Sequence, residues 1–525
     1  MNKTQLRKSA LVKHSISTLF AIFVFFLTAG IAQAQVKLAT VFADSMVLQR
    51  DMPINIWGSA AVDEQVTVIL NTKSYHGQAD KNGQWLIILP AQQVAIEQSI
   101  KVVGDIAIES NTIELSNVAF GDVYLASGQS NMEFKVKEAL TKFPQETKLE
   151  QYPDIRQFKV KRHYNFKGPQ QDIESGNWLS ANKQNVGEFS AVAWFFAKDL
   201  YKRYQVPIGL ISSNVGATPI ESWMSVESLA SFPETQALAY NLADTNFIEQ
   251  LTQEYEQERD DWWQKNPTAK KLAFEFMHRT SLDFKPVGFH NAMIAPLANV
   301  RFSGVIWYQG ESNTPEPALY SEKFTTMINQ WRTLFNQPQL PFLFVQLANF
   351  QMPDEQPSES AWADIRSAQT QVLKTVEYTA MALAIDVGER HNIHPLDKKT
   401  VGERLALGAR HLVYGETKLN YLSPLVVEAK LTNGKAIFSF KHINKGLVVK
   451  GDKLLGFAIA GADKQFIWAN ATLQNTNKKN QITVWHNSIK TPKYVRYAWA
   501  NNPENANLFN DQGLPVTPFS YEFTK

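Results

Sequence analysis

The sequence predicts an α/β fold built on a parallel sheet, with a β region at each end. Five apolar runs of strand length carry the central prediction: Val123–Ser127, Ile208–Asn214, Val305–Gln309, Phe342–Leu347 and Ala380–Asp386. They are almost continuously hydrophobic, as strands covered on both faces are. Helical patterns lie between and after them, at Ser190–Tyr204, Tyr320–Phe335, Ala361–Thr375 and Lys398–Tyr414. In the last, Val401, Leu405, Gly408 and Leu412 form an amphipathic stripe. Strands alternating with helices imply parallel pairing through right-handed crossovers.

In chain order, residues 1–34 read as an export signal. Lys3, Arg7, Lys8 and Lys13 precede the apolar run Thr18–Gly30, and Ala32-Gln33-Ala34 is a small-x-small cleavage site before Gln35. That run is shorter than the roughly 20 residues a bilayer span needs, so the expected location is periplasmic or secreted, with no membrane span after cleavage. Residues 35–117 hold short strand-like runs such as Ile54–Trp57, Gln65–Leu70 and Trp85–Leu89, separated by turns such as Asp80-Lys-Asn-Gly83, and read as an N-terminal β domain. The α/β pattern fills 118–420 and includes a charged stretch of about 226–285, with Trp262 and Trp263, that reads as a helical insertion. From 421 to 525 strand-like runs return, at Ala436–Phe440, Gly446–Val449, Ile482–Trp485 and Tyr494–Ala498, as a C-terminal β region.

Composition narrows the function classes. Apolar residues make up 44% and charged residues 19%, which excludes a disordered or fibrous chain. Lys and Arg number 52 against 50 Asp and Glu. The leader carries four of the cations and no acid, so nothing favours nucleic acid as a partner. Zero Cys removes disulfides, thiolate metal sites and cysteine nucleophiles. Oligomeric state is not encoded in any pattern here.

The polar residues gather where a parallel sheet binds ligands, beyond the carboxyl ends of its strands. The first run leads into Ser127-Gly-Gln-Ser-Asn-Met132 and the second into Asn214-Val-Gly-Ala-Thr218. The third leads into Gln309-Gly-Glu-Ser-Asn313 and the fifth into Asp386-Val-Gly-Glu-Arg-His-Asn-Ile-His394. These clusters contain a nucleophile, a base and hydrogen-bond donors, the parts that acyl transfer needs. Ser130 follows a glycine at a strand end and opens a helix, so it is preferred to Ser127 as nucleophile. His391 and His394 are both candidates for the base. Backbone N–H groups of Ser130 and Gly216 are candidate oxyanion donors, with the side chain of Gln309 or Asn313 as a third; Asn313, Glu311 and Trp223 are candidate substrate-binding residues, and Glu311 would also orient a neighbour. Glu389 and the two histidines lack a metal-binding spacing, so no metal is expected. Trp223, Trp262 and Trp263 are candidate sugar-stacking surfaces.

Taken together, Gly121-Asp-Val-Tyr-Leu-Ala-Ser-Gly-Gln-Ser-Asn-Met-Glu133, Ile306-Trp-Tyr-Gln-Gly-Glu-Ser-Asn313 and Asn392-Ile-His-Pro395 resemble blocks of the sialate O-acetylesterase family, within the SGNH hydrolase superfamily. Ser45-Met-Val-Leu-Gln-Arg50 and Gly513-Leu-Pro515 extend the resemblance to both ends. It implies a flavodoxin-like three-layer SGNH hydrolase domain and removal of O-acetyl groups from carbohydrate, of sialic acid or xylan type. It also implies Ser130 as nucleophile, His394 as base, Gly216 as the second-block glycine, and no cofactor. The acid stays open between Asp386, Glu389 and a Ser–His dyad, because His391 stands where many relatives have Asp. An alternative is a glycan-binding protein that kept the scaffold without the chemistry.

Overall fold

In a computed structural model, the structure describes residues 35–106, 111–147, 152–268, 281–474 and 480–524, so the leader lies outside the described residues. The chain divides into two compact units. The first holds the described residues up to Leu38, Trp57–Ile87 and Lys101–Ile113. Its hairpin of Gln65–Leu70 and Lys73–Gln78 buries Val66, Val68 and Leu70 by simple alternation. The second holds Ala39–Ile56, Ile88–Ile100 and everything from Glu114. Residues 47–49 fall in this unit because they pair in parallel with Ala119–Gly121.

The second unit is organised by a mixed sheet. Its strands are β1 (Thr112–Gly128, in this unit from Glu114), β2 (Tyr152–Lys159), β3 (Trp178–Ala181), β4 (Ile208–Asn214), β5 (Gly304–Tyr308), β6 (Phe342–Gln346) and β7 (Thr379–Leu383). Their order is β3-β2-β4-β1-β5-β6-β7, parallel throughout except for the antiparallel β3–β2 pair. Strands β4 to β7 are buried at every position, which is why they are legible as apolar runs.

Among the described residues, six helices of more than two turns connect or follow these strands: α1 (Ala191–Tyr204), α2 (Pro233–Asn241), α3 (Thr245–Lys265), α4 (Tyr320–Leu334), α5 (Ala361–Thr375) and α6 (Lys398–Leu412). Ser190 caps α1, its Oγ accepting from Ala193 N at 3.3 Å while donating to Met132 O at 2.6 Å. Asp397 caps α6 by accepting from Thr400 N at 3.0 Å. Helix α1 packs on α6 at Gly402, where a Cβ would lie 2.7 Å from Val192 O; only glycine permits that approach. Helices α2 and α3 fall in the stretch expected to be a helical insertion.

Beyond α6 the chain returns to strands. Leu425–Thr432, Lys435–Lys441, Gln481–Trp485 and Asn470–Gln474 form one antiparallel sheet. Ile467–Trp468, Phe457–Ala460, Tyr494–Tyr497 and Phe519–Glu522 form another. Among the described residues no helix is long and apolar enough to cross a membrane.

Candidate active site

Register places the polar clusters on one rim. Gly128 at the end of β1 is level with Asn214 of β4 and Tyr308 of β5. Gly128 has φ +132°, and a Cβ there would lie 2.2 Å from Tyr308 O. The chain therefore turns sharply, Gln129 N donating to Tyr308 O at 3.0 Å, and enters a single helical turn over Ser130–Glu133. Ser130 sits on that turn with its hydroxyl at the rim, whereas Ser127 is fully buried within β1.

His394 reaches the same point from the loop after β7. Its Nε2 lies 2.7 Å from Ser130 Oγ. With the ring proton on Nδ1, the hydroxyl donates to Nε2, as a nucleophile and its base require. Burial lowers the His394 pKa, and the nearby Lys398 charge lowers it further, against an opposing effect of Glu138. An imidazole so placed is held neutral. His391 is exposed in the same loop.

The acid candidates are held elsewhere. Both Asp386 oxygens pair with Arg404, at 2.6 and 2.8 Å. Glu389 accepts from Leu396 N at 2.8 Å and from Asn392 Nδ2 at 3.2 Å. Neither carboxylate hydrogen-bonds the His394 ring. Glu389 instead closes the loop that carries the histidine, and Asn392 Oδ1 accepts from His394 N at 3.0 Å.

A buried network that sequence reasoning missed ties this loop to the serine turn. Asn131 donates from Nδ2 to Glu311 Oε1 at 2.6 Å and to Ile393 O at 3.1 Å, and accepts from Lys398 Nζ at 2.5 Å. The neighbours of Ser130 and of His394 thus share one amide. Glu311 is tied to the serine turn through Asn131; its Oε2 is buried with no partner among the described residues, and burial raises its pKa. Lys398 is wholly buried, and desolvation pushes its pKa down to about 7. Its sequence signal was a lysine in the first turn of a helix, where the macrodipole disfavours a cation.

The other candidates divide. Gly216 lies beside Ser130, where a Cβ added to the glycine would come 3.5 Å from Ser130 Cβ, and its N–H donates to Glu133 Oε2 at 2.8 Å. Gln309 is fully buried, both amide hydrogens engaged by Thr218 O at 3.2 Å and Asn313 Oδ1 at 2.7 Å. Asn313 is equally committed: Oδ1 also accepts from Ile220 N at 2.9 Å, and Nδ2 donates to Glu221 at 3.0 Å. These two amides brace the loops after β4 and β5, a departure from the expected donor and substrate-contacting roles. Trp223 is also wholly buried, bonded through Nε1 to Thr218 Oγ1 at 2.9 Å, and presents no face to a sugar. Trp262 and Trp263 lie on α3 with their rings edge to face, 5.1 Å apart.

The chain is similar to known carbohydrate esterases. Residues 120–241 and 288–410 match the family described as carbohydrate esterase, sialic acid-specific acetylesterase. Sialate O-acetylesterases of Rattus norvegicus and Homo sapiens are 28% and 27% identical, covering 93% and 92% of this chain and 94% and 92% of their own. A crystal structure of a carbohydrate acetylesterase from Xanthomonas citri is 34% identical, with a TM-score of 0.79 over 93% of this chain and 100% of its own. The chain belongs to the sialic acid-specific acetylesterase family of carbohydrate esterases and is a carboxylic ester hydrolase.

Proposed function

We propose that this protein is an exported carbohydrate O-acetylesterase that works through an acetyl-serine on an SGNH-type three-layer domain. The observation that carries the mechanism is the 2.7 Å contact between Ser130 Oγ and His394 Nε2. Ser130 Oγ attacks the acetyl carbonyl as its proton passes to His394 Nε2. The resulting oxyanion is met by the N–H groups of Ser130 and Gly216, the latter exchanging Glu133 for the acetyl oxygen. The C–O bond to the sugar then breaks, and His394 returns the proton to the departing hydroxyl. Water, deprotonated by the same imidazole, attacks the acetyl-enzyme; the bond from the acetyl carbon to Ser130 Oγ breaks, acetate leaves, and the imidazolium returns its proton to Ser130 Oγ.

Because neither Asp386 nor Glu389 meets the imidazole, the reading favoured is a Ser–His dyad. The loop-closing bonds of Glu389 and the Asn131 link to Ile393 O supply the positioning that an acid supplies elsewhere. Acetylated sialic acid fits the names of the curated relatives and acetylated carbohydrate more broadly that of the solved structure, with xylan-type glycans a further candidate class; the leader supports a periplasmic or secreted protein. The test is acetate release from a panel of acetylated sialic acids, acetylated xylan oligosaccharides and pectin fragments. Wild-type protein releases acetate from at least one of them, and Ser130→Ala, folded as judged by circular dichroism, loses at least about a thousandfold in kcat. Retained turnover in Ser130→Ala removes the acetyl-serine.

A further inference from the structure

A cavity of about 380 Å3 lies where the loop after β6 meets the C-terminal strands, lined in part by Asp354, Leu455, Trp468, Trp499, Asn502 and Asn505. Its indoles are fixed in advance. Trp468 is 41% exposed, yet its N–H donates to Glu355 O at 2.8 Å, which sets the ring orientation. The Arg496 guanidinium lies 5.0 Å from the Trp499 ring centroid and is itself paired with Glu359 at 2.9 Å. Gly456, at φ +91°, forms part of the wall with bare backbone; a Cβ there would lie 3.0 Å from Ala506 Cα. Asp354 is exposed and engages Ser358 Oγ through Oδ2 at 2.7 Å.

A large exposed indole that is nevertheless immobilised has little use as core. Rigid aromatic faces with a carboxylate and amides at their edge have the chemistry that receives a pyranose: the C–H face of the ring stacks and the hydroxyls hydrogen-bond. The cavity is also braced to the catalytic loop. Asn349, just beyond β6, accepts from Gly388 N at 2.6 Å and donates to Asn502 at 2.8 Å, and Arg390 of the histidine loop is ion-paired with Glu504.

We infer that this cavity is a carbohydrate subsite that takes an uncharged pyranose of the glycan whose acetyl group is presented to Ser130. The inference rests on the esterase reading and narrows its substrate to an oligosaccharide rather than a single sialic acid. The Asp354 carboxylate repels a sugar acid, whereas a neutral sugar offers it hydroxyl donors.

The test compares Trp468→Ala and Asp354→Asn with wild type on p-nitrophenyl acetate, glucose pentaacetate and acetylated xylo-, gluco- and manno-oligosaccharides. Both substituted residues are exposed, so the variants are expected to fold. In wild type, kcat/KM for at least one oligosaccharide exceeds that for the monosaccharide about tenfold or more. Trp468→Ala loses most of that advantage through KM, with kcat and p-nitrophenyl acetate hydrolysis within about twofold of wild type. Oligosaccharide kinetics unchanged in both variants overturn the subsite, as does an equal loss on p-nitrophenyl acetate, which marks a structural role. Failure of the esterase reading itself looks different: acetate release then survives Ser130→Ala.

Discussion

At the residue scale the strongest charge acting on the His394 imidazole is a cation, Lys398. The charged groups acting on His394 are Lys398 and Glu138, with the Ser130 hydroxyl and the Phe134 ring also against it. As a base, His394 must be neutral, so activity falls as pH drops through its pKa. Burial and Lys398 both lower that pKa, which places the acid limb of kcat/KM below the ordinary histidine value of about 6.5. Lys398, pushed down to about 7, is still protonated where the histidine titrates. Lys398→Met removes the charge and moves the acid limb to higher pH, a shift that pH–rate profiles of the folded variant read directly. A limb unmoved by the substitution contradicts the electrostatic role.

At the element scale the loop 386–396 acts as one piece, and its carboxylates are its internal ties. Asp386 anchors the loop's start to α6 through Arg404, and Glu389 closes its end. Asp386→Asn therefore lowers kcat by no more than about threefold, the small effect of a partly exposed ion pair. An orienting acid lost from a triad costs about 10⁴, so steady-state kcat separates the two cleanly. The strands that frame this loop were legible because they are buried on both faces: Ile208–Asn214 was read to the residue, and Ala361–Thr375 likewise among the helices. Strands β2 and β3 were not legible. In Tyr152-Pro-Asp-Ile-Arg-Gln-Phe-Lys159 the buried positions include Arg156 and Gln157, and Arg156 is satisfied by Asn117 O at 2.5 Å and other acceptors. Buried polar groups with long-range partners break the apolar run that signals a strand. Ser130 and His394 were readable from motif and position; Asn131 was not, and Lys398 showed only as a cation in the first turn of a helix, because their contacts span 180 and 267 residues.

At the scale of the whole molecule, the C-terminal strands are joined to the catalytic sheet through its interior. Arg366 of α5 is wholly buried and donates to Leu347 O and Ala348 O after β6, and to Ala500 O and Asn501 O at 2.7 and 3.0 Å. Desolvation lowers its pKa to about 9. Deleting residues 421–525 strips two acceptors from a buried guanidinium, a loss of several kcal/mol when charged groups are left unpaired. The truncated chain is expected to fail to fold, giving no cooperative thermal transition; a stable, active 35–420 fragment contradicts that account. All of this architecture converges on one hydroxyl. The most direct measurement is peptide mapping by mass spectrometry after reaction with a fluorophosphonate, which traps an activated serine. The account predicts a single adduct on Ser130, absent in Ser130→Ala and formed far more slowly in His394→Ala. An adduct on another residue, or labelling that does not depend on His394, contradicts it.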